Sequence, residues 1–365
     1  MTIKVAVISL GSKSSKWTVK ALKKYIRIVD DINLKDIEVT LSSKNLEILY
    51  KGKPLDKYDC IYAKGSFRYA TLLRAVSLIA SETSYVPIKP AAFTIAHDKL
   101  LTQFRLQQQG IPMPITYLTA TPEAAKKILE KMQYPIIMKF PQGTQGKGVM
   151  FADSFASANS MLDALTALKQ PFLIQEYVET GGSDIRAIVV GDQVVAAMKR
   201  KAETGEKRAN IHAGGKGEPV SLDANTRKIA VKAAEAIGAD ICAIDILESV
   251  KGPLVIEINI SPGLQGITAA TGIDVANIIA KFLYKKTKDI VESKKKTAAS
   301  EIMKEIAAPS VGKEILTHLD IRGERILLPD YVTKETKFSE KDEVVIKIKE
   351  GKLLMERFEI GKKQK

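Results

Sequence analysis

The sequence predicts a mixed α/β and α+β chain: an α/β layer at the N-terminus, interspersed helices and strands after it, and a small β-rich module at the end. Three observations carry this prediction. Short apolar strands alternate with helix-spaced segments over roughly the first 95 residues. A strand–glycine turn–strand unit then lies between helical segments, and two β-branched acidic strands around 241–260 precede a shift to lysine-rich composition. At 365 residues more than one core is expected.

In chain order, Val5–Leu10 reads as a strand and Lys16–Val29 has helical spacing. Val39–Leu41 and Leu46–Tyr50 flank a polar break, Cys60–Ala63 is another strand, and Tyr69–Ser81 is helical. Gly11-Ser12 is only a weak phosphate turn, because no GxGxxG follows it. From Thr94 the pattern changes. Asp98–Gln109 is a helix ended by Gly110 and Pro112, and Pro122–Gln133 follows the N-cap Thr121. Strands Pro135–Phe140 and Val149–Ala152 bracket a glycine turn, with helix Ala156–Leu168 and strand Phe172–Tyr177 after them. Asp184–Val190 and Gln193–Met198 form a hairpin at Gly191-Asp192. A polar loop, Ala202–Gly217, leads to helix Asp223–Ile237, which Gly238 stops. The predicted domains are 1–95, 96–173, 174–290, a linker at 291–312, and 313–365.

Composition narrows the function classes. Cys60 and Cys242 both lie in apolar runs with no CxxC pair, against zinc and a disulfide framework and for a reducing, cytoplasmic setting. No apolar run approaches the roughly 20 residues needed to span a bilayer, so no membrane is expected. The net charge of +14 and pI near 9.4 favour anionic partners such as nucleotide phosphates, acidic tails or nucleic acid. Basic clusters with interleaved aromatics are absent, so nucleic acid binding has no motif behind it.

The most telling stretch is the acidic hairpin. With pairing centred near Lys251, Asp245 lies opposite Glu257, and the period of two puts Asn259 on the same face. Like charges across a ladder destabilise it, so two carboxylates and an amide oxygen call for a cation, and hard oxygen donors suit Mg²⁺. Lys139 is embedded in the strand Ile136–Phe140, where a charge is costly unless paired. The turn Gly143-Thr144-Gln145-Gly146-Lys147-Gly148 that follows is not a Walker loop. Alone it reads equally as a bulged hairpin; together with Lys139 it suits a polyphosphate lid. Phe172–Val178 carries Glu176 at an apolar strand end, as an adenine-reading hinge or a core strand leaving for the surface. Asp184 and Arg186 point away from the core-facing Ile185 and Ala187. Arg200 ends the partner strand, which brings it toward the acidic hairpin, where a guanidinium would bind a carboxylate or a transferring phosphoryl group. His97, His212 and His318 are too scattered for a metal site or triad.

Taken together, Lys139, the Gly143–Gly148 turn, Gln175-Glu176-Tyr177, Asp184-Ile185-Arg186, Arg208-Ala209-Asn210-Ile211-His212, Asp245 and Glu257-Ile258-Asn259-Ile260-Ser261-Pro262-Gly263 resemble, in order and spacing, the ATP-grasp superfamily and its RimK-type α-L-glutamate ligases. The resemblance covers roughly residues 1–290. It implies that ATP lies between two α+β lobes, with Lys99, Lys139 and the glycine loop (Gly143, Thr144, Gln145, Gly146, Gly148) on its phosphates. Glu176 and Tyr177 would read adenine, Asp184 would sit near the ribose, and Arg200, Arg208 and Asn210 would serve the reacting end. Asp245, Glu257 and Asn259 match the ligands of two Mg²⁺ or Mn²⁺ ions. The implied reaction adds an amino acid, glutamate foremost, to a carboxylate acceptor such as a protein C-terminus or a coenzyme tail. Departures are Lys201 in place of the second Arg of an Arg-Arg pair, Lys207 where an aromatic stands, and Ala209 for Ser.

From Leu319 on, Arg322-Gly323-Glu324-Arg325-Ile326-Leu327-Leu328-Pro329, Asp342–Ile348 and Gly351–Met355 resemble the AbrB/SpoVT swapped-hairpin module. That resemblance implies a homo-oligomer dimerised through this segment, or a platform that recruits the acceptor. Other expectations are an ATP-grasp ligase for another amino acid or a carrier protein, and a nucleic-acid-binding regulator with a nucleotide-sensing body.

Overall fold

A computed structural model describes residues 2–43, 46–141, 148–201, 216–307, 317–318 and 320–358, with side chains left aside at 297–307. The chain forms two compact units, Met1–Thr297 and Ala298–Lys365.

The first unit opens with β1 (Lys4–Ser9), α1 (Lys13–Leu22), β2 (Ile28–Asn33), the small sheet β3 (Ile37–Leu41), β4 (Leu46–Tyr50) and β5 (Lys53–Pro54), then β6 (Cys60–Ala63) and α2 (Ala70–Ala80). β1 lies between β2 and β6, parallel to both, so the strands share one carboxyl edge. The helix expected over Lys16–Val29 ends early. Leu22 closes α1, and Ile28–Asn33 is a strand whose Val29 and Ile32 enter the core beside β1. Sheet pairing overrides the helical spacing of that stretch.

Next come α3 (Ala92–Ile95), α4 (Lys99–Gln108), β7 (Thr116–Tyr117), α5 (Pro122–Leu129), β8 (Ile136–Lys139), β9 (Val149–Ala152), α6 (Phe155–Ala167) and β10 (Leu173–Glu176). A four-stranded sheet, β7-β10-β8-β9, packs α5 and α6 into a small core of its own. Thr121 and Ser154 cap those helices by accepting from the backbone N–H of Ala124 and Ser157. Then β11 (Ser183–Val190), β12 (Gln193–Lys201), β13 (Lys216–Pro219), α7 (Ala224–Ile237), β14 (Ile241–Ser249), β15 (Gly252–Asn259) and α8 (Gln265–Thr271) build a five-stranded sheet ordered β13-β12-β11-β14-β15. Its core is continuous with that of the N-terminal layer.

Three predicted boundaries shift. Leu106 and Ile111 belong to the large core, so α4 does not open the central lobe. A cut at 173/174 would fall inside β10, which is a strand of the central sheet. The expected linker from 291 lies in α9 (Val275–Ala307), because lysines, glutamates and alanines are good helix formers and its charge run is solvated.

The second unit holds the hairpin β16 (Asp320–Arg322) and β17 (Arg325–Leu327), α10 (Asp330–Thr336), and the hairpin β18 (Val344–Lys349) and β19 (Lys352–Arg357). None of its residues from 320 to 358 is buried.

Candidate active site

The acidic hairpin forms with a refinement. A plain two-residue turn at Val250-Lys251 pairs Ser249 with Gly252, and continuing that register would set Ile244 against Glu257. A bulge between Asp245 and Ile246 skips Ile256 and brings Asp245 opposite Glu257. The expected pair is therefore present, through the bulge rather than through a turn centred on Lys251.

The hairpin forms one wall of a cavity of about 890 Å³, which also meets Lys99, Lys139, Tyr177, Asp184, Arg200 and Asn259. Asp98 places Lys99 by capping α4, its Oδ1 accepting from the N–H groups of Leu100 and Leu101. The N–H of Lys99 donates to the carbonyl of Pro141, tying α4 to the segment after β8. Burial pulls the pKa of Lys99 down, with Glu257 and Asp98 opposing. Lys139 is 5% exposed, and its Nζ donates to the neutral Gln175 Oε1 at 2.9 Å, while Gln175 Nε2 donates to Thr116 Oγ1. Burial, helped by the charge of Lys99 and opposed by Glu257, lowers Lys139 to about 8. A cation held on a neutral amide, facing an open cavity, suits an anionic guest.

The opposite wall is charge-dense but internally compensated. Arg186 stands across the ladder from Asp245. Its Nε and Nη2 donate to Asp245 Oδ1 and Oδ2 at 2.8 and 2.6 Å. Arg200 donates through Nε and Nη2 to Asp184, and its Nη2 lies 3.0 Å from Asp245 Oδ2. Burial alone would raise Asp245, but Arg186 and Arg200 overcome it and hold the carboxyl down to about 2. Glu257 differs. Among the described residues its carboxylate has no hydrogen bond or ion pair, and burial together with Asp245 pushes its pKa up. Asn259 Oδ1 accepts from the N–H of Ser261 at 3.0 Å, and a carbonyl oxygen keeps a second lone pair.

The structure places the other residues singled out in the sequence as follows. Arg200, expected to meet substrate, is 4% exposed and pairs with Asp184 and Asp245. Asp184, expected near a ribose, gives both oxygens to Arg200. Tyr177 lines the cavity and meets Phe151 edge-on at 5.3 Å. Glu176 turns away, its Oε1 accepting from the N–H of Ile115 at 2.9 Å. Gly148 has φ +77, and a Cβ there would fall 2.3 Å from Phe140 Cδ2, so only glycine fits the return into β9. Gly143, Thr144, Gln145, Gly146, Arg208 and Asn210 lie outside the described residues. Arg186, Gln175 and His97 were missed as site residues. The signal for Arg186 was its alternation with Ile185 and Ala187 opposite Asp245. His97 lines the cavity, and its buried Nε2 has no hydrogen-bond partner.

The donors fit a hard divalent cation, since Glu257 and Asn259 offer unclaimed oxygen lone pairs with Asp245 beside them. Glu257 is the strongest candidate ligand, because Asp245 is already neutralised.

Known proteins resemble this chain in sequence and in fold. A family model described as RimK-like ATP-grasp domain matches residues 96–283. A probable alpha-L-glutamate ligase of Vibrio cholerae serotype O1 is 36% identical over 294 residues, 78% of this chain and 96% of its own. One of Shewanella loihica is 39% identical over 266 residues, covering 71% and 87%. Among solved structures, the ATP-grasp ligase PsnB complexed with minimal precursor superposes with a TM-score of 0.61 at 20% identity, over 78% of this chain and 99% of PsnB. A RimK domain ATP-grasp protein from Sphaerobacter thermophilus gives 0.59 at 19%, over 76% and 98%.

Proposed function

The chain belongs to the RimK-like ATP-grasp family, and from that premise we propose that this ATP-dependent carboxylate–amine ligase adds L-glutamate to a carboxylate acceptor, a protein C-terminus or a coenzyme tail. The observation that carries the reading is the pairing of a buried lysine on a neutral amide, Lys139, with an unpaired carboxylate, Glu257, on facing walls of one cavity. Such a cavity is built to complete its charges with a metal–polyphosphate.

In the proposed reaction an acceptor carboxylate oxygen attacks the γ-phosphorus of ATP, the bond to the bridging oxygen breaks, and ADP leaves behind an acyl phosphate. The amine nitrogen then attacks the acyl carbon, loses a proton and expels inorganic phosphate, giving an amide. Lys139 and Lys99 hold and neutralise the phosphates. Tyr177 and the β10–β11 connection flank the base. Arg186 and Arg200 hold Asp245 ionised and in place. Glu257, Asn259 and Asp245 would hold Mg²⁺ or Mn²⁺, two ions in the fullest reading, and the metal would spread charge from the transferring phosphoryl group. A cytoplasmic setting, where ATP and glutamate are at hand, fits the two buried free cysteines. Among the described residues no single helix is long and apolar enough to cross a membrane.

The test is a panel of amino acids and of peptide and coenzyme acceptors with ATP and Mg²⁺, read by mass spectrometry. A glutamyl increment on one acceptor, with ADP release that needs both substrates, is expected. Full-rate ATP hydrolysis without them overturns the reading.

A second reading concerns the C-terminal unit, which supports its AbrB-like assignment by its two hairpins. Ile346, Ile348, Leu353 and Leu354 are all largely exposed on the β18–β19 hairpin, an apolar load that a hairpin leaves uncovered only at an interface. We assign that interface to a second copy. Removing residues beyond Val311 should lower the number of copies per particle, read as light-scattering mass over chain mass; an unchanged number of copies removes the assignment.

A further inference from the structure

We propose that Lys64 anchors a substrate carboxylate at the carboxyl edge of the N-terminal sheet. This rests on the ligase reading and extends it to a residue outside the phosphate and metal walls. Lys64 follows β6 directly and is only 4% exposed. Among the described residues its ammonium has no carboxylate and no hydrogen-bond acceptor; what faces it is the ring of Tyr62, with Nζ 5.6 Å from the centroid. The Tyr62 hydroxyl is buried with no hydrogen-bond partner among the described residues. A lone buried ammonium is expensive, and a fold keeps one where a ligand of opposite charge completes it.

Its place points to the same ligand. In open α/β sheets, ligands bind beyond the carboxyl ends of the strands, and Lys64 sits at that edge. Its N–H donates to the carbonyl of Ile8 at the end of β1, just before the turn into α1. The next three residues, Gly65, Ser66 and Phe67, line the active-site cavity. Gly65 N–H donates to Ser261 Oγ at 3.0 Å, and Ser261 N–H donates to Asn259, so this edge is tied to the acidic hairpin. On the same cavity sits His97, whose buried Nε2 has no hydrogen-bond partner among the described residues, a second polar group left for a guest. Burial lowers the Lys64 ammonium to about 8, which leaves it mostly charged near neutrality. The reaction joins two molecules that each bring a carboxylate, so the ligand class is an aliphatic carboxylate, from the acceptor or from the amino acid.

The experiment compares wild type, Lys64→Met and Lys64→Arg as full chains, with ATP, L-glutamate and a peptide ending in a free glutamate. Loss of one charge-assisted contact should raise one carboxylate KM on the order of 10- to 100-fold, with kcat and the KM for ATP little changed. A rise for the peptide assigns Lys64 to the acceptor; a rise for L-glutamate assigns it to the amine substrate. Lys64→Arg should restore part of the affinity, and Lys64→Gln, neutral and close in size, replaces Lys64→Met should that variant not fold. Both carboxylate KM values unchanged in a folded variant overturn the proposal. Calorimetric binding of L-glutamate and of the peptide, alongside a non-hydrolysable ATP analogue, gives a readout free of turnover. If wild type forms no amide, the ligase reading has failed, and equal binding to wild type and Lys64→Met separately retires the Lys64 site.

Discussion

Two groups of charged residues at one cavity are handled in opposite ways. On the β11–β12–β14 wall, Asp184, Arg186, Arg200 and Asp245 satisfy one another within a buried quartet. Beside that quartet Glu257 has no ion pair among the described residues, across the cavity Lys139 leans on a neutral amide, and next to the cavity Lys64 meets, among the described residues, an aromatic ring. The contrast separates scaffold from site. Compensated charges fix geometry, and breaking one strands its partners; uncompensated charges cost stability and are completed by substrate. Stability and activity should therefore separate between the two groups.

The largest effect is expected where compensation is broken. Asp245→Asn leaves two buried guanidiniums short of an anion and should cost about 3–5 kcal/mol of unfolding free energy, read by denaturant titration. Retention of wild-type stability would show that the quartet does not hold the wall together. Across the ladder, Glu257→Gln should lower turnover on the order of 100- to 1000-fold or more with stability unchanged or raised, since no partner is stranded. Lys139→Met should behave alike, losing activity on that scale with no drop in melting temperature; a variant that unfolds instead would move Lys139 to the scaffold class.

Smaller is the pH effect of Lys64. Its folded pKa of about 8 lies below the ordinary lysine value of 10.5. Between these values the unfolded chain holds the proton more strongly, so the burial cost is full below pH 8 and fades as pH rises toward 10.5. Lys64→Met should thus be more stable than wild type at pH 7, by up to about 3 kcal/mol, with the gain shrinking over that window. A variant less stable at pH 7 would mean that the amine is satisfied in the folded protein. The smallest effect belongs to Gln175→Leu, which removes the amide's bonds to Lys139 and Thr116 and should shift the Lys139-dependent step by about 1–2 kcal/mol.

What was legible in the sequence follows the same division. Asp245, Glu257 and Asn259 stood out because acids in an apolar alternating hairpin conflict with its burial, and Lys139 stood out for the same reason. The bulge at Ile256 that sets their register leaves no mark in composition. Arg200 and Asp184 were legible as residues but not as partners, because the β11–β12 register decides that they meet each other. Lys64 was passed over, since a lysine just after a four-residue strand reads as a solvated strand end until tertiary packing covers it. At Ile28–Asn33 local helical spacing lost to pairing with β1, and the charge run at Ser293–Lys296, open to a linker or a short helix from sequence, continues the long helix α9.

Transfer of oxygen from acceptor to phosphate tests the central claim most directly. With the acceptor carboxylate labelled in heavy oxygen, ATP and L-glutamate, acyl-phosphate chemistry in this cavity predicts that each phosphate released carries one labelled oxygen. Amide formation with unlabelled phosphate would contradict the mechanism assigned to these walls.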